Sequence, residues 1–141
     1  EESGVISNYI RCKWNLSKGD HVVLCYNFGL HFFASFLGCL RAGVIPVLVY
    51  PPNPTALSKS LTKMNLVVDD CNAKLILCDS DIMFLRRTDQ MNPLSKSKHQ
   101  WPTKLNFKTT NKLQATIGGS LSSSSTSKGR KKGATTKTAA L

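Results

Sequence analysis

The stretch that decides the fold of this 141-residue chain runs from residue 22 to residue 50 and reads VVLCYNFGLHFFASFLGCLRAGVIPVLVY. It opens and closes with short runs that are almost wholly apolar, which is typical of strands buried on both faces of a parallel sheet. Between them, residues 28–42 are long enough for a helix. Arg41 and Gly43 provide the basic last turn and the C-terminal glycine that such a helix favours. The stretch therefore predicts a strand, a helix and a second strand parallel to the first.

The flanking sequence extends this pattern in both directions. Apolar residues in 5–14 share one helical face, and those in 57–71 recur at helical spacing after Asn53-Pro54, a favourable helix start. Residues 75–78 are a third apolar run, and Ser80-Asp81 could cap a short helix through Leu85. We therefore expect an α/β fold, a partial three-layer domain with a short parallel sheet in the order βαβαβ and right-handed crossovers.

The helix predicted over residues 28–42 is apolar on nearly all sides, with His31, Ser35 and Gly38 forming one narrow polar stripe. Such a helix has to be covered on most of its surface. A membrane span is the alternative, because residues 28–50 reach the necessary length of about 20 residues. His31, Arg41 and Pro46 interrupt that stretch, so a buried core helix is the favoured interpretation. Pro46 suits the start of a strand or an irregular edge strand better than a central strand.

Charge divides the chain into two parts. Residues 1–89 contain nine Lys/Arg and eight Asp/Glu, whereas residues 90–141 contain ten Lys/Arg and no acidic residue, so nearly all of the net charge of +11 lies in the second part. Residues 103–141 are rich in Ser, Thr, Lys and Gly, a composition typical of disorder. We therefore expect a domain over residues 1–102 and a disordered basic tail over residues 103–141. A tail of this kind could bind anions, although no aromatic residue follows Phe107 to stack on bases.

The cysteines give no sign of a metal site or a disulfide framework. They are five in number, are scattered through apolar segments and form no CxxC pair: Cys12, Cys25, Cys39, Cys71 and Cys78. Free thiols in a reducing compartment are the simplest interpretation. We expect a cytoplasmic protein, or an organellar one if a targeting segment precedes Glu1.

Several motifs resemble the adenylate-forming, or AMP-binding, enzyme superfamily. Residues 16–24 (LSKGDHVVL) resemble its opening strand, and residues 36–47 (FLGCLRAGVIPV) resemble the helix and strand that follow. Residues 50–54 (YPPNP) are similar to the corresponding turn of fatty acyl-AMP ligases, and residues 70–77 (DCNAKLIL) resemble the next helix end and strand. The resemblance covers about residues 5–102 and implies the N-terminal part of a ligase large domain.

The resemblance implies a reaction in which a fatty acid and Mg·ATP give an acyl-adenylate, whose acyl group then passes to a carrier protein. The implied cofactors are ATP and Mg²⁺, and the implied partners are the rest of the large domain, a fatty acid and an acyl carrier protein. No catalytic residue or metal ligand of the family can be assigned here, so we expect the chain to be inactive alone. Residues 122–133 echo the family's phosphate loop, but Ser124 replaces a glycine and no strand precedes them. An acyl-CoA synthetase fragment and a non-catalytic module with an anion-binding tail are the alternatives.

The candidate substrate-binding residues follow the second predicted strand: Tyr50, Pro51, Pro52 and Asn53. Loops at the carboxyl ends of parallel strands line the ligand crevice of open α/β sheets. The alternative is a rigid turn that only connects the strand to the next helix. The sequence leaves these two interpretations open.

Overall fold

The computed structural model describes residues 1–94, 100–111 and 113. In chain order its elements are α1 (Glu2–Asn8, continued by a π-helical segment, Tyr9–Lys13), β1 (His21–Cys25), α2 (Leu30–Ala42), β2 (Ile45–Val49), a 3₁₀ turn (Pro54–Ala56), α3 (Leu57–Asp70), β3 (Leu75–Cys78), α4 (Ser80–Met91) and β4 (Asn106–Thr109).

The strands form one parallel sheet in the order β2-β1-β3-β4. This confirms the α/β prediction and the parallel direction of the strands. The sheet has a fourth strand that the sequence did not predict, and β4 pairs with β3 so that Phe107 lies opposite Ile76.

Strand β4 corrects the expectation that residues 103–141 are disordered, which is wrong for residues 106–109. The segment is polar, but Phe107 is buried and packs against Trp101, with their ring centroids 6.0 Å apart. One buried aromatic side chain and the hydrogen bonds to β3 are enough to order a short strand at a sheet edge. The remainder of the predicted tail, beyond residue 113, lies outside the described residues.

Helices cover both faces of the sheet, as the three-layer prediction requires. Val23 of β1 belongs to the core beneath α3 and α4, with Leu61 of α3. Its neighbour Leu24 belongs to the opposite core, with Ile10 and Cys39 from the α1 and α2 side. Successive side chains of a strand point to opposite faces, so a strand that is apolar throughout is buried in two cores at once.

Strand β2 is an edge of the sheet within the part of the chain that the structure describes. The backbone N–H of Ile45 donates to Asp20 O toward β1, at 2.8 Å. The next residue, Pro46, therefore has its nitrogen on the free side, where no ladder hydrogen bond is lost. Among the described residues Pro46 thus occupies an edge strand, one of the two positions that the sequence predicted for it, the other being the start of a strand.

Three helix ends differ from the sequence-based expectations. Helix α2 begins at Leu30 rather than at residue 28, with Gly29 at the N-cap. Helix α4 is preceded by Asp79 as its N-cap residue and continues to Met91, well beyond Leu85.

No described helix is long and apolar enough to cross a membrane.

Candidate functional site

The carboxyl ends of all four strands lie at one edge of the sheet, because the strands are parallel. The chain moves from β1 to one side to form β2, and then crosses to the other side of β1 to form β3. The direction of the connections thus reverses between β1 and β3. Open α/β sheets bind ligands in the crevice at such a switch point.

A buried carboxylate lies in this crevice. Asp79 follows β3 directly, and its Oδ2 accepts a hydrogen bond from the backbone N–H of Asn27, which follows β1, at 3.0 Å. Asp79 is only 8% exposed, and its Oδ1 has no hydrogen-bond partner among the described residues. Burial raises the pKa of Asp79, while the Asn27 hydrogen bond and the nearby His31 lower it in part. Asp79 therefore joins the ends of β1 and β3 through its Oδ2 atom, while its Oδ1 atom remains without a hydrogen-bond partner among the described residues.

Three buried hydroxyl groups meet beside the carboxylate. The Tyr26 hydroxyl, at the end of β1, lies 2.9 Å from Thr110 Oγ1, at the end of β4. Ser35 Oγ of α2 donates to the Tyr26 hydroxyl at 2.9 Å. Burial raises the pKa of Tyr26, so this phenol stays neutral at physiological pH. The cluster ties the end of β4 to helix α2 across the sheet.

Aromatic side chains form the outer rim of the same edge. Phe28 is 87% exposed, and its ring centroid lies 6.0 Å from that of Phe32 and 5.5 Å from that of Phe33. Tyr50, at the end of β2, is 93% exposed. The rim therefore presents apolar surface toward the space beyond the strand ends.

The four predicted substrate-binding residues are placed differently from one another. Tyr50 is exposed, Pro51 is half-buried and Pro52 is buried. Asn53 caps the 3₁₀ turn, with its Oδ1 accepting the backbone N–H of Thr55 at 3.0 Å. The helix start predicted at Asn53-Pro54 is confirmed, and Asn53 has the geometry expected of a rigid turn. A substrate-binding role for the four residues stays a prediction.

Sequence reasoning missed Asp79, Tyr26 and Thr110. Asp79 could have been found, because a polar residue that directly follows a buried parallel strand lies at the ligand edge by topology. Thr110 carried no such signal, since its position depends on a strand that the composition of residues 103–141 concealed.

The described residues contain no group of three or more His, Cys, Asp or Glu side chains that could hold a metal ion. The connection between β3 and α4 is the single residue Asp79, whose carboxylate disfavours a phosphate at that helix N-terminus. A groove of about 380 Å³ beside it is lined by residues that include Ser80, Phe84 and Thr109. A larger groove, of about 730 Å³, lies between α3, α4 and Trp101, away from the strand ends.

Comparison with known proteins relates this fold to adenylate-forming enzymes. The chain is 38% identical over 98 residues to human Disco-interacting protein 2 homolog B, which covers 70% of this chain and 6% of that protein. It is 34% identical over 64 residues to the medium-chain-fatty-acid–[acyl-carrier-protein] ligase JamA of Moorena producens, covering 45% of this chain and 11% of that protein. The chain thus spans a small fraction of the length of these relatives.

Solved structures share the fold at lower sequence identity. The fatty acid AMP ligase from Legionella pneumophila superimposes with a TM-score of 0.60 at 24% identity, covering 83% of this chain and 18% of the ligase. The McyG A-PCP structure with phenylalanyl-adenylate gives a TM-score of 0.60 at 21% identity, covering 80% of this chain and 19% of McyG. The sequence model of the AMP-binding enzyme family matches residues 1–138. The chain therefore belongs to the AMP-binding enzyme family.

Proposed function

We propose that this chain is the opening part of the large domain of a fatty acyl-AMP ligase. The complete enzyme activates a fatty acid with ATP to an acyl-adenylate and passes the acyl group to a carrier protein. The observation that carries the proposal is the family match over residues 1–138 on a fold shared with a fatty acid AMP ligase. The relative JamA, a medium-chain-fatty-acid–[acyl-carrier-protein] ligase, supports the same substrate class.

The role of this chain in that enzyme is to build one ligand-facing edge of the sheet. The exposed rings of Phe28 and Tyr50 suit contact with an acyl chain better than contact with a charged phosphate. Asp79 and the hydroxyl cluster hold the strand ends together, so the rim has a fixed position. The turn from Tyr50 to Asn53 is the segment of this chain that we expect to approach the substrate.

ATP supplies the adenylyl group, and Mg²⁺ offsets the charge of its phosphates when both are bound. Among the described residues, no group of three or more His, Cys, Asp or Glu side chains could hold a metal ion. Residues 122–133, which echo the family's phosphate loop, lie outside the described residues. Catalysis requires the complete ligase, since the reaction depends on positioning and on preorganised charge around the phosphates.

The proposal is tested by assaying ATP–pyrophosphate exchange in the full-length protein that contains this chain, with fatty acids of several chain lengths. We expect exchange that depends on the fatty acid, and no exchange from the 141-residue chain alone. Absence of exchange with every chain length in a folded full-length protein contradicts the proposal. Acyl transfer to a carrier protein, compared with transfer to coenzyme A, separates the acyl-AMP ligase from the acyl-CoA synthetase alternative.

A non-catalytic module with an anion-binding tail is the second candidate, and the charge of residues 90–141 favours it. The test is binding of RNA or anionic vesicles with and without residues 114–141, a deletion that leaves β4 intact. Binding that weakens with salt and disappears with the deletion supports this candidate. Binding that survives the deletion excludes it.

A further inference from the structure

Two N-cap residues lie at the edge of the sheet where the strands end. Asn53 follows β2 and Asp79 follows β3, and both have the extended backbone that an N-cap residue adopts. Asn53 Oδ1 accepts the backbone N–H of Thr55, which is the usual capping contact. The side chain of Asp79 makes no capping hydrogen bond to α4. Asp79 thus has the residue type and the position of a helix cap, but its side chain has a different contact.

The carboxylate of Asp79 contacts the loop that follows β1. Its Oδ2 accepts the backbone N–H of Asn27 at 3.0 Å, across 52 positions of the chain. Its Oδ1 is buried and has no hydrogen-bond partner among the described residues. A capping contact ordinarily stabilises the start of a helix. The structure therefore has the contact with Asn27 in place of a contact that Asp79 could make with its own helix.

The loop that Asp79 contacts consists of residues 27–29, which we call the rim loop. Its far end is fixed to α2, because Gly29 O accepts two backbone N–H groups from the first turn of that helix. Its near end is fixed to the start of α4 by the hydrogen bond from Asn27 to Asp79. Between these two ends, Phe28 is 87% exposed. The position of Phe28 at the ligand edge therefore depends on both attachments.

The buried hydroxyl cluster holds a different part of the same strand end. Tyr26 precedes the rim loop, and its hydroxyl group contacts Thr110 and Ser35. These contacts fix the side chain of Tyr26 beneath α2, whereas Asp79 binds the peptide N–H with which the rim loop begins. The hydroxyl cluster therefore does not replace the contact between Asp79 and Asn27.

We propose that Asp79 is a positioning residue for the fatty acid, because its carboxylate holds the rim loop in the orientation in which Phe28 meets the acyl chain. The inference rests on the proposed function, in which the exposed ring of Phe28 contacts that chain. Asp79 itself touches neither the fatty acid nor ATP in this role. Without the contact, binding of the fatty acid also has to order the loop, which lowers affinity. Loss of the contact should therefore weaken fatty-acid binding and leave the chemical step unchanged.

Serine and asparagine separate the two roles that an N-cap aspartate can have. Both are favourable N-cap residues, so Asp79→Ser and Asp79→Asn each allow α4 to begin at the same residue. The asparagine side chain has an oxygen at the same reach as the native carboxylate. The serine hydroxyl is one bond closer to the backbone and falls short of Asn27. If Asp79 only capped α4, the two variants would behave alike, whereas a positioning role is retained by Asp79→Asn alone.

The first measurement is hydrogen–deuterium exchange of the Asn27 amide in the full-length protein that contains this chain, resolved by mass spectrometry with electron-transfer fragmentation. We expect exchange to accelerate about tenfold or more in Asp79→Ser, because a hydrogen bond to a charged acceptor is lost, and to change little in Asp79→Asn. Asp81→Asn, in the exposed first turn of α4, is the matched control and should leave the Asn27 amide unchanged. Native exchange in Asp79→Ser, or equal acceleration in both Asp79 variants, overturns the proposal.

The second measurement is ATP–pyrophosphate exchange by the same full-length variants. We expect Asp79→Ser to raise the KM for the fatty acid by about threefold or more and to leave kcat and the KM for ATP unchanged, the pattern of a lost binding contribution. Asp79→Asn should have the native KM. An unchanged KM for the fatty acid in Asp79→Ser, or an equal rise in the KM for ATP, overturns the proposal. If the native full-length protein shows no exchange, the proposed function fails, and the Asn27 amide still decides whether Asp79 holds the rim loop.

Discussion

Helices α2 and α3 are nearly equal in length and cover opposite faces of the same sheet, yet their outer sides differ. Helix α3 has four buried apolar residues toward the sheet and a mostly polar outer side, on which Thr62 Oγ1 and Ser60 Oγ hydrogen-bond the preceding turn. Helix α2 has Leu37 and Leu40 half exposed on its outer side.

The difference indicates what each helix is adapted to contact. A helix with one apolar stripe is adapted to a sheet on one side and water on the other. A helix that is apolar on both sides gains most of its hydrophobic free energy only when both sides are covered, at about 25 cal/mol for each Å² buried. The following substitutions test this contrast, from the largest expected effect to the smallest.

Truncating the sheet-facing side of α3 should have the largest effect. Leu61 lies on the sheet-facing side of α3 and is 1% exposed. Leu61→Ala should therefore lower the free energy of unfolding by about 2–5 kcal/mol, because burial is lost and a cavity remains. Urea denaturation of the 141-residue chain measures this. Leu66→Ala on the same helix is the control and should change stability little. Equal losses from both substitutions mean that α3 does not have a single buried side.

The inner side of α2 should tolerate no added atom at Gly38. A Cβ there would lie 2.7 Å from Ile6 Cγ2 and 2.8 Å from Ile6 Cβ, so α1 has to move. We expect Gly38→Ala to lower the free energy of unfolding by about 1–3 kcal/mol, the usual cost of overpacking. Gly4→Ala in helix α1 is the control, since a Cβ at that position would meet only the Arg41 guanidinium, at 3.7 Å, which is an ordinary van der Waals contact. If Gly38→Ala is as stable as the control, α1 does not pack against α2 as described.

The buried carboxylate of Asp79 should lower the free energy of unfolding at neutral pH. Burial raises the pKa of Asp79, so its charged form is disfavoured in the folded state, and stability falls as pH rises through the folded-state pKa. Asp79→Asn keeps an oxygen to accept the Asn27 N–H and removes the buried charge. We expect it to raise the free energy of unfolding at pH 7, because the uncharged amide costs less to bury than the carboxylate.

The pH dependence supplies the check on this prediction. The gain from Asp79→Asn should shrink as pH falls toward the ordinary aspartate pKa of about 3.9, where the native carboxyl is protonated. Denaturation at pH 7 and at pH 4 measures the change. Asp81→Asn is the control, because Asp81 is exposed in the first turn of α4, where a negative charge is favourable. A gain from Asp79→Asn that is constant with pH argues against a charge effect.

The outer side of α2 should show the smallest effect in this chain. Leu37 is half exposed, so Leu37→Gln should change the free energy of unfolding of the 141-residue chain by no more than about 0.5 kcal/mol. It should also reduce self-association, because it interrupts an exposed apolar stripe. Denaturation and sedimentation measure the two effects. A large loss of stability means that the side chain is covered within this chain itself.

The sequence predicted most of the core because that core is local. The strands at residues 22–25 and 75–78 and the helix of residues 57–71 carry their apolar patterns within single segments, and the structure confirms all three. The turn at Asn53-Pro54 was equally predictable from the sequence, since a cap depends on neighbouring residues.

The sequence predicted less of the candidate site than of the core. Tyr50 to Asn53 could be singled out as the end of a strand, and whether they bind a substrate stays a prediction. The contact between Asn27 and Asp79 joins residues that are far apart in the chain, so no local sequence pattern predicts it. The same holds for Tyr26, Ser35 and Thr110, whose hydroxyl groups meet only because three elements end at one edge.

The sequence by itself determined the α/β class, the parallel direction of the first three strands and the apolar character of α2, because hydrophobic periodicity and connection length operate within short segments. Tertiary structure alone decided that residues 106–109 form a fourth strand and that Asp79 lies in the switch-point crevice. A polar strand gains its stability from a neighbouring strand and one buried Phe107, and a crevice exists only where separate strands end side by side.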